Sequence, residues 1–90
     1  MLNLRIDKRV QKYLRALPAK HARQIAAKLL DLCKDAEPVD SKQLKGSLFR
    51  RADTGEYRII YVVIGEVLMV PLIGKRNDDE VYRRLKRLES

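Results

Sequence analysis

The stretch that most limits what this chain can fold into is Gly55-Glu56-Tyr57-Arg58-Ile59-Ile60-Tyr61. It is rich in β-branched and aromatic residues, with one arginine set among apolar neighbours, and it is predicted to be a sheet strand. A second strand is predicted from Val67 to Ile73, after a Gly65-Glu66 turn and before Gly74-Lys75-Arg76. A third, Leu48-Phe49-Arg50-Arg51, comes before both and leads into a polar turn, Ala52-Asp53-Thr54-Gly55. Short turns make the three an antiparallel meander. It carries Arg50, Arg51, Arg58, Lys75 and Arg76. Burying an unpaired charge is costly, so cations inside apolar runs point to an anion that docks on them.

The rest of the chain supplies elements to cover that meander. Met1 to Ile6 alternates apolar and polar residues, as a half-buried strand does. Asp7 is a plausible N-cap, and Val10, Tyr13, Leu14 and Leu17 follow at helical spacing. Pro18 ends that helix and suits the first turn of the next. From Ala19 to about Asp35 one apolar stripe holds Ala22, Ile25, Ala26, Leu29, Leu32 and Cys33. Glu37 to Ser41 reads as a loop. Asn77-Asp78-Asp79-Glu80 places carboxyl groups at the start of a last helix, whose apolar face is Val81, Leu85 and Leu88. The order is strand, helix, helix, three strands, helix. This is an α+β domain: an N-terminal strand, a helical hairpin, a three-stranded antiparallel meander completing a four-stranded sheet, and a C-terminal helix. The hairpin is expected on one sheet face, and the cations on the opposite face and its rim. Ninety residues make one domain, residues 1–90.

Charge narrows the partners. A net charge of +8 on so small a domain predicts a polyanion, either nucleic acid or an acidic protein. Cys33 is the only cysteine, which leaves no disulfide and no cysteine-based metal site; its place on the helix stripe reads as core. Neither a signal peptide nor an apolar run of membrane-spanning length is seen, so a cytoplasmic protein is expected.

Most standard chemistries are missing their residues. The one histidine, His21, lies among Lys20, Ala22 and Arg23 and reads as a solvated helix residue without an evident partner. There is no nucleotide-binding glycine loop, no zinc spacing and no nucleophile elbow. What remains is a set of arginines and lysines with Tyr57, Tyr61 and Tyr82 as hydroxyl or stacking groups. Such a set suits RNA cleavage without a metal, because RNA supplies its own nucleophile, the 2′-hydroxyl. Arginine forks bind phosphate oxygens in pairs, and a tyrosine surrounded by cations becomes a better base. The same residues also suit a nucleic-acid-contacting surface with no chemistry, and strand tyrosines are commonly core. Arg58 has an ordinary reading too, as a cross-strand ion pair with Glu56 or Glu66.

Four segments in order carry a resemblance: Leu44-Lys45-Gly46; Leu48-Phe49-Arg50-Arg51; Gly55-Glu56-Tyr57-Arg58-Ile59-Ile60-Tyr61; and Ile73-Gly74-Lys75-Arg76 through Glu80-Val81-Tyr82. Together they resemble the RelE branch of the RelE/ParE toxin superfamily, over essentially the whole chain. The resemblance implies a toxin of a type II toxin–antitoxin system, a ribosome-dependent endoribonuclease (mRNA interferase) that cuts mRNA in the A site. It implies that Arg58 stabilises the transition state, that Arg76 contacts the scissile phosphate and supports the leaving group, and that Tyr82 is the general base. Lys45, Arg50, Arg51, Lys75 and Arg83 are the further cations expected to contact RNA. The implied partners are a cognate antitoxin, ribosomal RNA and mRNA, with operator DNA bound through the antitoxin. No cofactor or metal is implied. Two alternatives stay open: a ParE-like inhibitor of DNA gyrase, and a non-catalytic module that only binds an antitoxin.

Overall fold

The computed structural model describes residues 1–77 and 79–89. The elements are β1 (Asn3–Ile6), α1 (Lys8–Ala16), α2 (Ala19–Lys34), β2 (Ser41–Gln43), β3 (Arg50–Thr54), β4 (Tyr57–Ile64), β5 (Val67–Lys75) and α3 (Glu80–Glu89). Asp7 caps α1, its Oδ1 accepting from the Arg9 backbone N–H at 2.8 Å. Pro18 opens α2, where its missing N–H costs nothing. At the start of α3 the Asp79 carbonyl accepts from the backbone N–H groups of Tyr82 and Arg83, both at 3.1 Å. Asp78, expected to contribute there, lies outside the described residues.

The sheet runs β1-β5-β4-β3-β2, with β1 parallel to β5 and the other pairs antiparallel. It has five strands where the sequence predicted four. The addition is β2, three residues that begin at the end of the segment read as loop and pair with Arg50 to Ala52 of β3. Ser41, Lys42 and Gln43 have no strand-like pattern of their own, so their conformation follows from the free edge of β3. The second difference is the first turn of the meander. Thr54 pairs with Tyr57, so Gly55-Glu56 is the turn and Asp53 belongs to a strand. Gly55 has φ +58°, as the first position of a two-residue type II′ hairpin requires. Gly65-Glu66 repeats the device at φ +60°, between Ile64 and Val67.

Both sheet faces are covered, by two separate cores. The α1–α2 hairpin packs Val10, Ile25, Leu29, Leu32 and Cys33 against Ala52, Tyr57, Ile59, Tyr61, Leu68, Val70 and Ile73. On the opposite face α3 sets Val81 and Leu85 against Ile60 and Leu72, with Leu44, Phe49 and Tyr82 packed around them. That face was expected to hold cations; it does so near the β3–β4 turn, while α3 takes the part over Ile60 and Leu72 for its own apolar stripe.

A bulge in β5 makes the two cores compatible. Ile60 faces Leu72 but Val62 faces Met69, so Val70 and Pro71 stand against Tyr61. The bulge admits Pro71 to a strand, and β1 ends its pairing at Val70, so no neighbour asks that proline for an N–H. It also shifts the alternation, which puts Leu68, Val70 and Ile73 in the larger core and Leu72 in the smaller one.

Glycine replacements test the two turns. Gly65→Ala forces a Cβ into a left-handed φ in open space and should cost about 1 kcal/mol in urea unfolding. Gly55→Ala should cost at least as much, since its Cβ would also meet the Gln24 amide at 2.8 Å.

Candidate functional site

The Gly55-Glu56 turn sets the register that makes Asp53 and Arg58 direct cross-strand partners. Both lie on the α3 face, and the pair is mostly buried. Arg58 Nε donates to Asp53 Oδ1 at 2.7 Å and Nη2 donates to Oδ2 at 3.0 Å, a bidentate clamp. Arg51, two residues before Asp53 on the same strand face, adds a longer contact of 3.5 Å to Oδ2. The third Arg58 nitrogen, Nη1, donates to the hydroxyl of Tyr82. The guanidinium carbon sits 5.5 Å from the centre of the Tyr82 ring. Tyr82 thus has two roles at once: its ring packs on the smaller core while its hydroxyl reaches the arginine.

Arg76 lies beside the same turn. Its backbone N–H donates to the Glu56 carbonyl at 2.8 Å, and Nη1 donates to the Gly55 carbonyl at 3.4 Å. Its side chain is exposed, so its charge faces solvent next to the clamp. The Arg58 hydrogen bonds hold the Asp53 carboxyl below its ordinary range against the opposing effect of burial, and the charges of Arg58, Arg51 and Arg76 act the same way. Asp53 in turn holds the Arg58 guanidinium above its ordinary value, with Tyr82 contributing. Three cations, one carboxylate and one phenol therefore share a corner of the sheet. Among the described residues no three His, Cys, Asp or Glu side chains converge as metal ligands would.

The other expected site residues are dispersed. Arg50 points to the hairpin face, where it donates to Ser41 Oγ at 2.8 Å and Glu37 Oε1 at 3.3 Å. Strand alternation separates it from Arg51, which is the one of the two that shares a face with Arg58. Lys45 is exposed in the β2–β3 connection, at the far end of β3 from Gly55. Lys75 is exposed at the end of β5, in register with Tyr57. Arg83 is exposed on α3 and donates to Glu80 at 3.0 Å.

Three readings from the sequence need correction. Arg58 pairs with Asp53, and not with Glu56 or Glu66, because Glu56 sits in the turn and Glu66 at the opposite end of β4. Tyr57 and Tyr61 are buried in the larger core and cannot stack on a base; the Tyr61 hydroxyl donates to the Ala36 carbonyl at 2.6 Å. His21 has a partner after all, its Nδ1 hydrogen-bonded to the Tyr57 hydroxyl at 2.7 Å. Asp53 is the site residue that the sequence reading missed. The signal that could have found it is the repeated Gly-Glu dipeptide, which makes both meander turns the same and moves Asp53 into a strand.

A groove of about 500 Å³ lies elsewhere, between α1 and α3, with Val10, Tyr13, Pro71 and Leu72 in its lining. It shares no residue with the Asp53–Arg58 corner. Among the described residues, no helix is long and apolar enough to cross a membrane.

The sequence matches no protein-family model and no curated protein. Solved structures do match. The isolated E. coli RelE toxin superposes with a TM-score of 0.73 at 27% identity, over 98% of this chain and 99% of that one. In the intact E. coli RelBE toxin–antitoxin complex the values are 0.72 and 26%, over 83% and 96%. In a RelB–RelE antitoxin–toxin complex from Methanococcus jannaschii they are 0.63 and 22%, over 93% and 98%, a likeness of fold.

The clamp has a pH signature. A carboxyl held below its ordinary value adds stability above the pH where unfolded aspartate titrates, about 4. That contribution is lost as pH falls through the lower folded value. Asp53→Asn should therefore unfold in less urea than wild type at pH 7, by about 1–2 kcal/mol. The two proteins should converge as the titration is repeated toward pH 2.

Proposed function

We propose, from the premise that this chain has the fold of the RelE toxins, that it is the toxin of a type II toxin–antitoxin pair and an endoribonuclease acting on mRNA at the ribosome. The observation that carries the reading is the Arg58–Tyr82 hydrogen bond, formed on one sheet face with Arg51 and Arg76 close to it. A phenol held against a guanidinium, with further cations at hand, has the parts needed to cleave RNA.

In this mechanism the 2′-oxygen of one nucleotide attacks the adjoining phosphorus. Tyr82 is the general base for the 2′-proton. The new O2′–P bond forms as the P–O5′ bond breaks, giving a 2′,3′-cyclic phosphate and a 5′-hydroxyl. Arg58 carries the charge that accumulates on the phosphorane-like oxygens. Arg76, exposed beside the turn, contacts the scissile phosphate and steadies the leaving 5′-oxygen, which takes its proton from solvent. Arginine keeps its own proton, so its part is electrostatic. Nothing in these steps calls for a metal ion. Arg51 is the strand cation suited to hold the phosphate. Arg50 is engaged on the other face. Lys45, Lys75 and Arg83 are exposed and suited to ribosomal RNA, with the salt dependence that phosphate contacts bring.

The partner in this reading is a cognate antitoxin, as in the E. coli and M. jannaschii complexes. Operator DNA is bound through that antitoxin. The place of action is the cytoplasm.

The test is induction in bacterial cells with primer extension on a translated message. Wild type should give cuts at codon-phased positions. Tyr82→Phe should lower cleavage on purified programmed ribosomes by about 10²–10⁴-fold, and Arg58→Ala by about 10²–10³-fold, with both proteins still folded. Arg76→Ala should abolish the cuts seen in cells. Growth arrest with intact messages and damaged DNA would replace the nuclease with a gyrase inhibitor, and an absence of toxicity would leave a binding module.

A further inference from the structure

The Asp53–Arg58 clamp decides which part of the arginine an incoming phosphate can use. A guanidinium has five N–H groups. Asp53 takes the Nε–H and one on Nη2, and the Tyr82 hydroxyl takes one on Nη1. One N–H on each of Nη1 and Nη2 is left, and Nη1 is already bound to the tyrosine. A carboxylate among cations is also the opposite of what simple phosphate attraction would select, which asks for a positional explanation.

We propose that Asp53 is the positioning residue of this site, holding Arg58 by its Nε–Nη2 edge so that a scissile phosphate is received only on the N–H groups beside the Tyr82 hydroxyl. The inference rests on the nuclease reading and deepens it. The clamp ties three things to one rigid group: the phosphate, the arginine and the base. Arg58 is seated on β4, Asp53 on the adjacent strand, and Tyr82 on α3, so the guanidinium links the sheet to the helix that carries the base. Without Asp53 the arginine would keep its charge but lose the contact that orients it, and its whole Nε–Nη2 edge would become available to phosphate. Binding would then be retained or improved in a pose remote from Tyr82. Misplacement by about 1 Å is enough to cost on the order of 100-fold in rate. The depressed carboxyl of Asp53 is consistent with this, since it keeps the clamp charged at neutral pH.

The opposite role for the same contact is a plug, with the carboxylate filling the phosphate's place until RNA displaces it. The two roles predict opposite kinetics. Cleavage of a message on purified ribosomes would be followed for wild type, Asp53→Asn, Asp53→Glu and Glu66→Gln. The last is the same charge change at the far turn of the β4–β5 hairpin. Binding would be read in parallel with a message carrying a 2′-deoxynucleotide at the cut position, which cannot react. For a positioning residue, Asp53→Asn should lower kcat by about 10- to 100-fold while the deoxy message binds as tightly as before or more tightly. Asp53→Glu should recover part of the loss, and Glu66→Gln should match wild type. A kcat that is unchanged or raised in Asp53→Asn overturns the positioning role, the raised value favouring the plug. A loss of kcat that Asp53→Glu does not recover, accompanied by weaker binding, overturns it as well. Wild type that cuts no message overturns the nuclease reading itself, a result distinct from wild type and Asp53→Asn cutting equally fast.

Discussion

The register of the β3–β4 hairpin is the constraint on which the rest of the site depends. Two residues, Gly55 and Glu56, join the strands, and a two-residue loop leaves no slack in the pairing. Asp53 and Arg58 are then opposite one another by construction, and Arg51 falls on their face by strand alternation. One residue more or less in the turn would send a whole strand's side chains to the wrong face. Arg58 would then enter the larger core in place of Tyr57 or Ile59. The charge cluster and the apolar packing of the hairpin are two consequences of one pairing.

The size of the chain explains why both faces are used. A domain of 90 residues buries a limited share of its surface, and a second small core under α3 adds burial that one core could not supply. The bulge at Val70 and Pro71 lets β5 serve both cores. α3 packs on the face where Arg58 emerges, so the ring of Tyr82 contributes to packing while its hydroxyl meets the guanidinium. The candidate chemistry therefore sits at the edge of a core. There the aromatic ring is held firmly and the polar end remains accessible, an arrangement suited to a group that must act on a bound polymer.

Much of this is legible in the amino-acid sequence. The helix boundaries around Asp7 and Pro18 follow from local capping and ring geometry. The apolar stripe through Ile25, Leu29, Leu32 and Cys33 follows from helical periodicity, and the buried character of Cys33 with it. The sequence marks the Gly65-Glu66 turn, but its reading places the first meander turn at residues 52–55, whereas the structure repeats the same Gly-Glu device at Gly55-Glu56. In a turn an aspartate reads as a backbone-bonding residue and not as a strand partner, so Asp53 does not stand out in the sequence. Strand β2 was illegible for another reason. Ser41, Lys42 and Gln43 lack any periodic signal, and their pairing depends on an edge formed by residues further along.

The α+β class, the helical hairpin, the three meander strands, the last helix and the concentration of cations on the meander are all written in local sequence, and only β2 is missing from that reading. These depend on interactions within a few residues, where spacing and side-chain chemistry suffice. Tertiary structure alone decided which cations meet. It sent Arg50 to Glu37 and Ser41 and Arg51 toward Asp53, and it buried Tyr57 and Tyr61 while leaving the Tyr82 hydroxyl against Arg58. The physical reason is that a charged or aromatic residue in a strand has two possible faces, and its face is set by register. Register depends on turn length, on the bulge and on which helix covers which side, none of which is a property of the residue itself.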